Sequence, residues 1–115
     1  MSNGRQYYND ALSKYTEALM RDAENMRALY SRAELNSLLK RHDDALHDLN
    51  TLLRLSPSHA EALRLRISLN AQQGQLYSAA QDADRLVTIY KTNKHSAKAK
   101  EMQNSAEKLH NYAKR

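Results

Sequence analysis

The chain has 115 residues, a net charge of +5, two glycines, a single proline and no cysteine. A chain of this length makes one domain, and the lack of cysteine excludes a disulfide framework, a thiolate zinc site and a cysteine nucleophile. Abundant Ala, Leu, Lys, Arg, Gln and Glu, with valine and isoleucine scarce, predict an all-α fold.

No run approaches the ~18 consecutive apolar residues of a membrane span, so no membrane association is expected. The opening Met1 to Tyr8 has no apolar core of a signal peptide, which argues against an unprocessed secretory precursor. Residues 94–115 hold six Lys or Arg against two Glu and carry most of the charge, leaving +1 for everything before them.

In the first stretch, Gly4 to Arg21, Tyr8, Ala11, Leu12, Tyr15, Ala18 and Leu19 recur at spacings of three and four, the stripe of an amphipathic helix. Asp22-Ala23-Glu24-Asn25 interrupts it, and Asn25 caps a second helix over about 26–39 with Leu29, Ala33 and Leu35 inward. Lys40 to Asp43 is a polar turn, and a third helix to Leu55 turns Ala45, Leu46, Leu49, Leu52 and Leu53 inward.

Pro57 then stops the chain, because proline lacks a backbone N–H and disfavours helical geometry at Ser56. Ser58 with Glu61 three residues on has the form of a capping box for a fourth helix, about 59–73. Gly74 suits the left-handed closure of that helix. A fifth helix, about 76–90, buries Ala79, Ala80, Ala83, Leu86 and Val87. Asn93 is the expected cap of a final helix that carries Ala99, Met102, Ala106, Leu109 and Ala113 as a narrow stripe.

Shifting the sequence by 34 residues superposes Ala11, Ala45 and Ala79, then Leu19, Leu53 and Val87, and in the alternate helices Leu29, Leu63 and Ala97. Two helices per 34 residues with small residues at their crossing resembles the tetratricopeptide repeat family, TPR. Ala33, Ala45 and Pro57 match the motif in one unit, Gly74 and Ala79 in the next. The resemblance implies a helix-turn-helix solenoid in a single domain over 1–115. It would hold the second helix of a partial repeat over 4–25, repeats over 26–59 and 60–93, and a C-terminal capping helix over 94–115. Asn36, Asn70 and Asn104 replace the family's large residue in the first helix, and Arg32, Arg66 and Lys100 form a second column four residues earlier. The asparagines either bond locally or face water, or they form a ladder for a peptide backbone.

Asp22 to Ala33 and Ala62 to Leu76 further resemble the TPR region of J-domain co-chaperones. That likeness implies a protein-interaction module that takes a peptide or an unfolded client, with no catalysis and no cofactor. The concave groove it implies is lined by Arg27, Tyr30, Glu34, Leu38, Arg64, Ser68, Gln72, Lys98 and Met102. A carboxylate clamp for Hsp70 or Hsp90 tails is not expected, since Ser31, Glu61 and Leu65 stand where the family's clamp has Asn, Lys and Arg, and a glutamate repels a carboxylate. The alternatives are a basic helical adaptor for RNA, through Lys94, Lys98, Lys100, Lys108, Lys114 and Arg115, and a dimerising scaffold through Tyr8, Leu12 and Tyr15 on the incomplete first repeat. A basic cap helix with Tyr112 as its one aromatic is a weak nucleic-acid surface. Asp44, His47 and Asp48 share a helix face with ligand-like chemistry, but a lone cluster on a charged helix is not expected to hold metal. The compartment is cytoplasmic by default, or the endoplasmic-reticulum lumen if the J-domain likeness holds.

The proposed register carries its own test. Pro57→Ala should cost little, whereas a large side chain at Ala45 or Ala79 should cost about 1–3 kcal/mol, a ranking read from denaturation midpoints.

Overall fold

A computed structural model describes residues 3–115, which form six α-helices: α1 (Asn3–Arg21), α2 (Met26–Leu38), α3 (His42–Leu55), α4 (Ala60–Gln72), α5 (Leu76–Thr92) and α6 (Ser96–Ala113). The fold is all-α, and the chain divides into two compact units between Pro57 and Ser58.

In the first unit α2 packs against both α1 and α3. Ala28, Leu29 and Ala33 of α2 meet a face of α3 built from Ala45, Leu49 and Leu52, all buried, with Leu53 beside them. Ala33 and Ala45 are fully buried, as close helix approach requires. Leu35 is only half-buried, and Asn36 takes an inward place next to it. In the second unit α5 is the central helix, packing against α4 and α6 through Ala79, Ala80, Ala83, Leu86 and Tyr90. The α6 helix contributes Ala99 and Ala106, while Ala113 is exposed.

The helix starts show where local chemistry acts. Asn25 Oδ1 accepts the Ala28 N–H at 3.1 Å, a side-chain cap of the expected kind. At the second start the cap is His59, whose Nδ1 accepts the Ala62 N–H at 3.1 Å. Ser58, expected as the cap, lies in the turn with Pro57 instead. The reason is the register: α4 begins at Ala60, so the cap falls 34 residues after Asn25. Glu61 keeps its place in the first turn, where the helix dipole favours a negative charge.

The turns between paired helices share one closure. The Arg41 N–H donates to the Asn36 carbonyl, the Gln75 N–H to Asn70 and the His95 N–H to Tyr90, each at 2.8 Å. The residue before each donor is left-handed: Lys40 at φ 62, Gly74 at φ 77 and Lys94 at φ 61. The third of these turns corrects the expectation for the last helix. Asn93 ends α5 rather than capping α6, whose N-cap is His95. Because α5 runs on to Thr92 and closes through a within-pair turn, α6 starts two residues late for the 34-residue register. Ala97, aligned with buried Leu29 and Leu63, is exposed, and Ala99 is buried in its stead.

At the head of α3, His42 Nδ1 is buried with no hydrogen-bond partner, whereas the equivalent place in α5 is Leu76.

Lysine pays a steric cost in the left-handed region that glycine does not. Lys94→Gly and Lys40→Gly should therefore each stabilise the protein by about 0.5–1 kcal/mol, net of the entropy glycine adds to the unfolded chain. Thermal denaturation measures this, with Gly74→Lys as the reverse control.

Candidate functional site

Two ion pairs repeat with the 34-residue period. On α2, the Arg32 Nε–H donates to Asp48 Oδ2 at 2.7 Å and an Nη–H to Oδ1 at 2.8 Å. On α4, Arg66 grips Asp82 in the same two-pronged way at 2.6 and 2.8 Å. Both carboxylates are buried, so each is held by a charge-matched fork where water is excluded. Arg85 adds a further bond to Asp82 at 2.6 Å, and Arg32 donates a second Nη–H to Thr16 on α1 at 3.2 Å. Arg32 therefore ties the three helices of its unit together. Its guanidinium is held above the ordinary arginine pKa, first by the hydrogen bonds to Asp48, against the opposing effect of burial, then by the charges of Asp48 and Asp44. A raised cation pKa means the arginine's contribution is in full effect below its ordinary value, where Asp48 is a carboxylate, and is lost as pH climbs through the raised one.

This geometry reassigns Asp48. Sequence grouped it with Asp44 and His47 as ligand-like, but Arg32 occupies both its oxygens, and no three His, Cys, Asp or Glu among the described residues are grouped to hold a metal ion. The signal was available as an Asp at 48 and again at 82, sixteen residues beyond Arg32 and Arg66. Lys100 does not extend the arginine column and is exposed, because α6 is offset. The asparagine column also breaks: Asn36 is buried, Asn70 half-buried and Asn104 exposed.

The residues expected to line a groove fall on exposed helix faces. On α2, Arg27, Glu34 and Leu38 are exposed and Tyr30 half-buried. On α4, Arg64, Ser68 and Gln72 form one exposed stripe, with Gln72 Nε2 donating to Ser68 Oγ at 3.1 Å. On α6, the ammonium of Lys98 stands 6.0 Å from the centre of the Tyr90 ring, and Met102 is half-buried. At the places where a clamp would need Asn, Lys and Arg, Ser31 and Leu65 are half-buried and Glu61 is exposed. The basic residues Lys94, Lys98, Lys100, Lys108, Lys114 and Arg115 are all exposed.

On α1, Tyr8, Leu12 and Tyr15 are half-buried, and the large side chains most exposed are Tyr7 and Met20. A trough separates α1 from α3, with hollows of about 500 and 330 Å³ meeting at Thr16, Arg32, His47 and Asp48. A smaller hollow of about 190 Å³ lies between α5 and α6, where His110 Nε2 and Asp84 Oδ2 are 2.8 Å apart. No helix among the described residues is long and apolar enough to cross a membrane.

The sequence matches the tetratricopeptide repeat family over residues 3–49 and 39–94. Among solved structures, a tetratricopeptide repeat protein from Parabacteroides merdae is 33% identical with a TM-score of 0.77, over 96% of this chain and 42% of that one. This chain thus spans less than half of that protein's length. The TPR2B domain of yeast Sti1, in complex with pHsp70, superposes with a TM-score of 0.76 at 20% identity over 96% of this chain and 88% of that one. The Yersinia enterocolitica type III secretion translocator chaperone SycD does so at 0.79 and 11% identity, over 99% and 79%. At those identities the last two are likenesses of fold.

Removing one partner of a buried ion pair leaves the other charge stranded, whereas replacing both with apolar residues does not. With Asp48 buried and Arg32 partly exposed, Arg32→Met should cost about 3 kcal/mol, and Arg32→Met with Asp48→Leu clearly less. Urea unfolding of the two variants checks the order.

Proposed function

We propose, because this chain belongs to the tetratricopeptide repeat family, that it is a non-catalytic protein-interaction module. Repeats of this family are in general interaction modules rather than enzymes. The observation that carries the reading is the recurrence of exposed residues on α2 and α4, with Glu34 and Ser68, and Leu38 and Gln72, at equivalent places. Arg27, Glu34 and Leu38 on one helix, and Arg64, Ser68 and Gln72 on the other, are turned to solvent. Taken by itself, each stripe suits an extended or helical peptide: on α2 Arg27 pairs with a carboxylate and Leu38 covers an apolar side chain, and on α4 Arg64 offers a cation beside the polar Ser68 and Gln72. Tyr30, Lys98 and Met102 extend the same assignment.

The finer proposal is a chaperone-associated setting with an unfolded segment as ligand. Two likenesses support it: the short stretches similar to J-domain co-chaperones, and fold neighbours that include a Sti1 domain in complex with pHsp70 and a secretion chaperone. Acidic chaperone tails are not assigned as ligands, because Glu61 opposes a carboxylate where a clamp would need a lysine.

The test pairs two fluorescent probes, a reduced and carboxymethylated unfolded polypeptide and an acidic chaperone-tail peptide. The unfolded probe should bind, and Leu38→Glu should weaken it by about fivefold, the loss of roughly 1 kcal/mol of apolar burial. The tail peptide should show no binding. Unfolded-probe affinity untouched by Leu38→Glu and Arg64→Glu together would remove these stripes from the assignment.

A further inference from the structure

Leu29, Arg32 and Asn36, at spacings of three and four, share the face of α2 opposite Arg27, Glu34 and Leu38, and they floor the trough between α1 and α3. Asn36 is the anomaly among them. It is 6% exposed, and its backbone carbonyl takes the Arg41 N–H, yet among the described residues its side-chain amide makes no hydrogen bond. That amide lines the larger hollow, of about 500 Å³. It has two N–H groups to donate and an oxygen to accept with, and a buried polar group left unpaired in a native fold marks a place where something else binds or is held. One turn back, Arg32 spends three of its five N–H groups on Asp48 and Thr16 and keeps two in reserve.

The charge around this hollow narrows the occupant. Arg32 and Arg41 are matched by Asp44 and Asp48, so neither an anion nor a cation finds an excess of the opposite sign, and the His47 side chain is 81% exposed. The unspent groups ask instead for an uncharged partner that both donates and accepts. Extended polypeptide backbone does so at every residue, whereas a helix satisfies its main chain internally. The smaller hollow, about 330 Å³, continues the trough and is walled by Leu19, Met20, Ala23 and Leu29, the lining of a seat for an apolar side chain. Leu29 and Asn36 stand seven residues apart on α2, about 10 Å, a span that extended chain covers in about three residues.

We propose that the trough binds an extended, uncharged stretch of a partner polypeptide. Its main chain bonds to the Asn36 amide and to the reserve N–H groups of Arg32, and a large apolar side chain about three residues away sits in the smaller hollow. The site shares no residue with the exposed stripes on α2 and α4, so either assignment can fail without the other.

The probe is an end-capped, dansyl-labelled peptide of alternating glycine and serine with one central leucine, titrated against the full chain in fluorescence anisotropy. It should bind, and alanine in place of that leucine should weaken it about tenfold through lost apolar burial. Asn36→Leu should weaken it about fivefold, the net contribution of one hydrogen bond, with circular dichroism and thermal midpoint maintained because no existing bond is removed. N-methylation of the peptide three places from the leucine, on one side or the other, should cost the same factor against the original chain and nothing further against Asn36→Leu. Absence of binding, or an affinity indifferent to Asn36→Leu, leaves the hollow to water and overturns the proposal. So does a loss on N-methylation that persists in full against Asn36→Leu. Leu38→Glu should leave this probe unaffected, and a loss there overturns the proposal by moving the peptide to the exposed stripe.

Discussion

A buried carboxylate is tolerated in a helical protein only where a cation meets it with good geometry, and here that condition is imposed twice. Asp48 and Asp82 are buried on the same helices as the buried alanines Ala45, Ala79 and Ala83. An aspartate there without its arginine would be stranded, so α2 must dock on α3, and α4 on α5, in the register that brings Arg32 and Arg66 across. Apolar packing supplies most of the stabilisation and already resists a slip of one turn at the alanine crossings. The forked pairs add to that, since a slip of one turn would move the guanidinium about 5 Å from its carboxylate. They act as register marks whose main contribution is uniqueness of pairing.

Much of this was legible in the sequence because it repeats. The helix pairs, the alanine crossings, the Asn25 cap and the stop at Pro57 all follow from spacing and local backbone chemistry. What escaped were features that depend on which helix lies opposite. Asp48 read as a member of a ligand-like cluster not expected to hold metal, because its neighbours on α3, Asp44 and His47, are visible in sequence, whereas Arg32, sixteen residues away, becomes its neighbour only after folding. His59 was passed over as a cap because Ser58 is the commoner choice, although an imidazole nitrogen accepts a backbone N–H equally well in the right place. Of the candidate binding residues, sequence placed Arg64, Ser68 and Gln72 on one face, and that face is exposed. A ligand's identity is not encoded in a spacing.

The last helix shows how a short local motif overrides a long-range pattern. A repeat predicts that α5 stops near Tyr90, as α3 stops at Leu55. Nothing like Pro57 stands there to stop it, and α5 runs on to Thr92. Once Lys94 adopts the left-handed conformation and His95 closes back onto Tyr90, α6 is committed to pairing with α5 as a hairpin. The two-residue offset then moves Ala99 and Ala106 into the interface and leaves Lys100 and Asn104 in water.

The state of α1 has a dynamic consequence. None of its described side chains from Gly4 onward is fully buried, so its backbone amides should exchange with solvent through local openings cheaper than global unfolding. A partner bound against α1 would close those openings. The freedom α1 surrenders on docking then counts against affinity, and ordering α1 beforehand would tighten binding without a single new contact. The most loosely held helix is in this sense the part of the fold whose stability a partner can most readily change.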